Sequence, residues 1–278
     1  MISYEIVDVF TGTPFEGNPL AVVFGGDGLS DKQLQAIAAE FNLSETAFVL
    51  PPTTTADYRV RIFTPKSEIP FAGHPSIGTA VTLARRGDIA DGTATQECGA
   101  GLLPVVVDGD AATLTGGTPT DGGPLDAAPL LELAGLEPSD LAGNARRVGT
   151  GIEFPILPVI PEAVARAENT RIAGQPEVYL FSFDATTGRA HSRLFAPGFG
   201  ITEDPATGSA ALALGVHLVA EGLVPADGTT SYVVDQGAEM GRPSRLECQV
   251  DAAAGAAVRA RVRGRAVAVS RGEFVSLP

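Results

Sequence analysis

The chain is poor in the groups on which much protein chemistry relies. Lysine occurs twice, at Lys32 and Lys66, and the formal net charge is −14. That balance argues against a general electrostatic grip on nucleic acid or an anionic membrane. Any anionic ligand must be held locally, by helix ends or a few donors. The two cysteines, Cys98 and Cys248, form no CxxC and lie near no histidine cluster. They read as buried free thiols of a reducing compartment. With three histidines, no HExxH and no thiolate pair, the pattern argues against a metal site. No segment reads as a membrane span: the stretch from Pro205 to Ala220 lacks formal charge, but it contains His217 and falls short of the ~18–20 residues required. The opening Met1-Ile-Ser-Tyr-Glu5 enters a strand-like pattern directly and is no signal peptide, so the expected location is the cytoplasm. There is no GKS or GKT, and Gly198-Phe-Gly200 is followed by Glu203 where a dinucleotide fingerprint needs glycine.

Against these absences stands a repeated pattern. Glu68-Ile-Pro-Phe-Ala-Gly73-His74 runs on to Gly87, and Glu203-Asp204-Pro-Ala-Thr-Gly208-Ser209 runs on to Gly222. Glu to Gly is five residues in both (73 − 68 and 208 − 203), and Gly to closing Gly is fourteen (87 − 73 and 222 − 208). Upstream, Arg61-Ile-Phe-Thr-Pro65 echoes Arg193-Leu-Phe-Ala-Pro197. A period of 135 residues (208 − 73) is too long for a solenoid and suits two duplicated domains. Apolar content of 44% and charged content of 19% suit a soluble chain with real cores.

The local signals give the order of elements. Ile2 to Phe10 and Leu20 to Phe24 read as strands around a Gly17-Asn18-Pro19 turn. Ser30-Asp-Lys-Gln33 is a capping box before a helix with Leu34, Ile37, Ala38 and Phe41 on one face. Strands follow at Ala47 to Leu50 and Tyr58 to Phe63, then a small-residue helix from Gly73 to about Arg86. Thr115 to Pro124 (TGGTPTDGGP) reads as a linker, which divides the chain into domains 1–115 and 116–278, with the last strand free to pack back on the first. Beyond it, Leu130 to Leu136 and Glu162 to Ala167 read as short helices. Glu177 to Asp184 and Ala190 to Phe195 read as strands, and Gly208 opens a helix to about Glu221. Strands near Ser231 to Asp235 and Arg245 to Asp251 precede a final pair between Val258 and Val275. Arg259, Arg261, Arg263 and Arg265 alternate with small or apolar residues, the mark of a solvated strand face.

Gly73 and Gly208 each start an apolar helix, where free N–H groups and the helix dipole attract an anion and glycine allows close approach. If the two starts face each other, the N–H groups of Gly73, His74, Gly208 and Ser209 converge on one carboxylate. The competing reading is two ordinary helix N-termini. His74 and Ser209 hold equivalent places, and a histidine there can hold or relay a proton. His217 lies ~12 Å along the same helix from Ser209, too far to serve as its base. Asp204 either caps the second helix or meets a polar substituent of a substrate. Glu45, between Ser44 and an apolar strand, is either an exposed turn residue or a partly desolvated proton carrier.

Six segments carry a resemblance. Glu16-Gly-Asn-Pro-Leu-Ala-Val22, Asn42-Leu-Ser-Glu-Thr46, Arg61-Ile-Phe-Thr-Pro65, Pro70-Phe-Ala-Gly-His-Pro75, Glu203-Asp-Pro-Ala-Thr-Gly-Ser-Ala210 and Gly241-Arg-Pro-Ser244 resemble the PhzF family of phenazine-biosynthesis isomerases and their relatives, over nearly the full chain. The resemblance implies an α/β (α+β) fold of the diaminopimelate epimerase type, with two similar domains, each a curled mixed sheet around a central helix, and an active site in the cleft. It implies a small carboxylate substrate, no cofactor, no metal and a homodimer. It assigns catalysis to Glu45, His74 and Asp204, and substrate binding to Ser44, Gly73, His74, Gly208 and Ser209. Diaminopimelate epimerase and proline racemase place a cysteine pair at the helix starts. Here His74 and Ser209 stand there, which disfavours two-thiol racemisation. The activity implied is that of trans-2,3-dihydro-3-hydroxyanthranilate isomerase, with epimerisation of a small amino acid or a non-catalytic binding role as alternatives.

Overall fold

The computed structural model describes residues 2–170, 177–199 and 201–278. Gly200 of the Gly198-Phe-Gly200 stretch lies outside the described residues. By internal packing the chain divides into two compact units, residues 1–114 with 263–278, and residues 115–262.

The first unit holds β1 (Ser3–Val9), β2 (Asn18–Phe24), α1 (Asp31–Phe41), β3 (Glu45–Leu50), β4 (Tyr58–Phe63), β5 (Glu68–Ile69), α2 (Gly73–Arg86), β6 (Gly92–Cys98), β7 (Gly101–Asp108) and β8 (Ala111–Thr115). Strands β1 and β2 pair antiparallel, β2 and β3 parallel through α1, and β4 and β6 parallel through α2. Both parallel pairs are βαβ units, because a parallel return needs a crossover long enough to hold a helix. β7 and β8 continue the sheet antiparallel, and the far end of the chain pairs with both β1 and β8. The sheet thus closes on itself.

Helix α2 is buried from Gly73 to Leu83. It reaches the sheet closely because Gly78 lacks a side chain: a Cβ there would lie 2.7 Å from Leu20 Cδ2 and from Val9 Cγ2. Helix α1 covers the other face of the sheet. Its Leu34, Ile37 and Ala38 pack with Ile2, Val23, Phe48 and Phe63. The Gln33 side chain accepts from the Ser30 N–H at 3.0 Å, and Asn42 ends the helix at φ 51°.

The second unit repeats the plan. It holds β9 (Pro119–Pro124), α3 (Ala128–Leu133), β10 (Arg146–Thr150), β11 (Glu153–Pro158), α4 (Pro161–Arg166), β12 (Val178–Asp184), β13 (Arg189–Ala196), β14 (Ile201–Asp204), α5 (Gly208–Ala220), β15 (Gly228–Gln236), β16 (Ser244–Ala253) and the first part of β17 (Ala256–Glu273), whose residues 263–273 belong to the first unit. The parallel pairs are now β11–β12 and β13–β15, with α4 and α5 inside the crossovers. Helix α5 is buried almost all round, so it is apolar on every face. Helices α3 and α4 close a separate core with Leu157, Val178, Leu180 and Phe195.

Three local expectations fail. The expected linker carries a strand: Pro119–Pro124 pairs with β10, which its five turn-forming residues hid. The expected final strand pair is one strand, β17. Its mid-strand glycine, Gly264, is needed for a different reason, since a Cβ there would lie 2.6 Å from Phe10 Cε1. Cys98 is only half-buried, whereas Cys248 is buried as expected.

The arginine row of β17 does form a polar face, but each guanidinium has a carboxylate partner. Arg259 and Arg261 meet Asp251 at 2.8 and 2.7 Å, Arg263 meets Asp108 at 3.3 Å, and Arg265 meets Asp110. No helix among the described residues is long and apolar enough to cross a membrane.

Candidate active site

The repeated sequence pattern has a repeated physical content. In the first unit, the Arg61 guanidinium grips Glu68 through two bonds of 2.7 and 2.6 Å and lies over Phe63, 5.2 Å from its centroid. In the second, Arg193 grips Glu203 at 2.7 and 2.8 Å and lies over Phe195 at 4.8 Å. Each fork ties the strand before the motif to the residue that opens it, so the chain arrives at each glycine along the same path.

Each glycine-started helix is then held from beneath by a buried glutamine on the following strand. In the first unit Gln96 on β6 donates to Ser76 Oγ at 2.9 Å, Ser76 Oγ donates to the Ala72 carbonyl at 2.9 Å, and Tyr58 donates to Gln96 Oε1 at 3.2 Å. In the second, Gln236 on β15 donates to the Asp204 carbonyl at 2.8 Å and to Thr207 Oγ1 at 3.1 Å, and accepts from the Thr207 N–H at 3.3 Å. Neither glutamine was singled out in the sequence. The signal available was a polar residue at an inward position of each post-helix strand.

The first unit brings Glu45 and His74 together. Glu45 opens β3, in register with Leu20 of β2, and His74 is the second residue of α2. Glu45 Oε2 lies 3.5 Å from His74 Nε2, and the two side chains are 14% and 5% exposed. Glu45 is therefore no exposed turn residue. Burial pushes the His74 imidazole down to about 3, so the ring is neutral near pH 7. Its other nitrogen, Nδ1, lies 3.5 Å from the amide nitrogen of Asn18, a fully buried residue that opens β2. Gly17, at φ 67°, delivers Asn18 to this place, and a Cβ there would run into the Val9 carbonyl and Thr11. Asn18 is a site residue that sequence reasoning quoted in a motif but gave no role.

The N-terminus of α2 is short of donors by design of its sequence. Pro75 has no N–H, and the first helical bond runs from Ser76 N to the Ala72 carbonyl. Gly73 and His74 are thus the N–H groups that this helix start can offer an anion. Gly73 is buried and Ser44 is half-buried beside Glu45.

In the second unit Asp204 is buried at the end of β14, and its Oδ2 accepts from the Thr207 hydroxyl at 2.5 Å. Thr207, not Asp204, is the N-cap residue of α5. The first helical bond runs from Ala211 N to the Thr207 carbonyl, which leaves the N–H groups of Gly208, Ser209 and Ala210 at the start. Ser209 is half-buried, in the place that His74 holds in α2. His217, farther along α5, packs edge-on against Phe181 and has no hydrogen-bond partner at either ring nitrogen among the described residues. Burial pushes it down to about 4. His191, half-exposed on the otherwise largely buried β13, meets Glu239 at 2.8 Å.

A duplicated α+β unit with a glycine-started central helix in each copy, and in the first a carboxylate largely removed from water against a neutral imidazole, defines the structural class. The likeness to known proteins narrows that class. The family model for phenazine biosynthesis-like proteins, PhzC-PhzF, matches residues 7–120 and 159–272. The trans-2,3-dihydro-3-hydroxyanthranilate isomerase of Pseudomonas chlororaphis is 35% identical, over 99% of this chain and 100% of that one. A PhzF-family phenazine biosynthesis protein of Bacillus anthracis superposes with a TM-score of 0.88 at 27% identity, covering 99% of both chains. A structure from Pseudomonas aeruginosa described as a predicted epimerase superposes with a TM-score of 0.82 at 32% identity, over 99% of this chain and 100% of that one. The chain belongs to the PhzC-PhzF family.

Proposed function

We propose that the protein is an isomerase that moves a proton between two carbons of a small, conjugated, carboxylate-bearing substrate, without a cofactor. The observation that carries this reading is the contact of Glu45 with His74 at 3.5 Å, a carboxylate largely removed from water beside a neutral imidazole. A desolvated carboxylate is a stronger base than one in water, and near neutral pH it can both take and return a proton. Likeness to an isomerase of trans-2,3-dihydro-3-hydroxyanthranilate supports the substrate class.

In this reading Glu45 removes a proton from one carbon, the electron pair shifts the double bond, and the same carboxyl, whose acid proton exchanges with solvent, delivers a proton to another carbon of the system. No atom is gained or lost. The N–H groups of Gly73, His74, Gly208 and Ser209 hold the substrate carboxylate, which explains how a chain of net charge −14 takes an acid without lysine. Asp204 and Ser44 orient polar substituents. The cleft that the family resemblance implies, and a homodimer, belong to the same proposal. So does a cytoplasmic setting, to which two free cysteines are suited.

The second reading, epimerisation, is favoured by the likeness to the P. aeruginosa protein described as a predicted epimerase. Incubation in deuterated water with dihydrohydroxyanthranilate and a panel of amino acids separates the two. Deuterium with a shifted double bond supports the isomerase. Deuterium at Cα with inversion supports the epimerase, and no uptake from any compound contradicts both.

A further inference from the structure

The ring of His74 is in contact on both sides. Nδ1 lies 3.5 Å from Asn18 Nδ2, and Nε2 lies 3.5 Å from Glu45 Oε2. Asn18 and Glu45 open the paired strands β2 and β3, and His74 is the second residue of α2, so all three sit at element starts. A neutral imidazole carries one proton, and which nitrogen holds it follows from what the other nitrogen meets. An amide NH₂ only donates, so the nitrogen it faces must present a lone pair. An ionised carboxylate only accepts, so the nitrogen it faces must present an N–H.

We propose that Asn18 is a positioning residue that holds His74 in the Nε2–H tautomer and thereby keeps an N–H facing the Glu45 carboxylate. The inference rests on the isomerase reading for its meaning and on the three side chains alone for its geometry. Asn18 Nδ2–H then meets the Nδ1 lone pair in a hydrogen bond, and Nε2–H faces Oε2 across 3.5 Å, a charge contact and not a formed hydrogen bond. If the Asn18 amide turned over, its oxygen would demand the proton on Nδ1. The Nε2 lone pair would then face Glu45, which could bond to it only as the protonated acid. The orientation of one buried amide is therefore linked to the protonation of the carboxyl that must alternate between base and acid in each turnover. With Nε2–H in place, the resting enzyme presents the carboxylate, ready to accept a proton from carbon. Burial of the ring, which disfavours a second proton, keeps the choice between tautomers sharp.

The test uses the full chain with nitrogen-15 in its histidine rings. Signals of the three histidines are separated with His191→Asn and His217→Phe. In the wild type, His74 is expected to show a pyridine-type Nδ1 and a pyrrole-type Nε2. The reverse tautomer, or an even mixture, overturns the proposal. Asn18→Asp, whose carboxylate accepts from Nδ1–H, is expected to reverse the tautomer. Asn18→Leu, which fills the space without a donor, leaves the Glu45 contact as the only bias and is expected to weaken the preference for Nε2–H. Both should lower kcat at least tenfold with KM changed less than threefold. Retention of a pyridine-type Nδ1 in folded Asn18→Asp, or an undiminished preference for Nε2–H in folded Asn18→Leu, also overturns the proposal. The spectra need no substrate, so this outcome is independent of whether the isomerase assignment itself holds.

Discussion

Glu45 and His74, twenty-nine residues apart (74 − 45), meet at 3.5 Å at the adjoining starts of a strand and a helix. Neither residue is unusual in sequence. Both are largely removed from water, and burial keeps the His74 ring neutral near pH 7.

That burial makes stability depend on pH through two histidines. His74 is held down to about 3 and His217 to about 4, against about 6.5 in the unfolded chain. Between those limits the unfolded state binds more protons than the folded one, so stability is present in full above about pH 6.5 and falls as the pH drops towards 4. Urea unfolding at pH 7.5, 6, 5 and 4.5 should show a falling midpoint. His217→Phe should flatten part of that slope while leaving activity near wild type, since His217 lies against Phe181 and not at a helix start.

The glutamine braces differ from ordinary surface amides. Gln236→Leu leaves the Thr207 N–H and the Asp204 carbonyl without their amide partner. A loss of about 1–3 kcal/mol in denaturant unfolding is expected, with activity falling further than stability because the start of α5 loses its seat. A neutral effect on both would show that the brace is dispensable.

The two repeated forks should not be equal in strength. Arg193 and Glu203 have side chains 9% and 14% exposed, and Arg193 also donates to the Val164 and Ala167 carbonyls. Arg61 and Glu68 are 18% and 42% exposed. Arg193→Ala should cost about 3–5 kcal/mol, because it strands a largely buried carboxylate and two carbonyls. Arg61→Ala should cost about 0–1 kcal/mol. Chemical denaturation of the two variants side by side checks the order.

Close approach of α5 to its sheet depends on Gly215. A Cβ there would lie 2.5 Å from the Tyr232 hydroxyl, which donates to the Ala211 carbonyl at 2.8 Å. Gly215→Ala is expected to cost about 1–3 kcal/mol in thermal or denaturant unfolding.

Sequence reading reached α1, α2 and α5 well because their starts carry local chemistry, a Ser30–Gln33 capping box and two glycines before small apolar residues. The Arg–Phe–Glu echo also proved physical, as two equivalent ion-pair forks. What escaped depended on distant partners. Pro119–Pro124 looks like a linker until β10 is beside it, and β17 looks like a hairpin until Phe10 occupies the space at Gly264. Gln96, Gln236 and Asn18 are ordinary polar residues in sequence. Only burial beneath or beside a helix start gives them a role. Glu45 illustrates the intermediate case. Its neighbours suggested desolvation, but His74 supplies the contact that decides it.

The measurement closest to the central claim compares wild type with Glu45→Gln, under saturating dihydrohydroxyanthranilate in deuterated water. Glutamine keeps the shape of the side chain but cannot carry a proton from carbon to carbon. The account predicts deuterium at carbon in the wild-type product and a loss of about 10²–10⁴-fold in rate for the variant, with its fold intact by circular dichroism. Turnover by Glu45→Gln at the wild-type rate would contradict it.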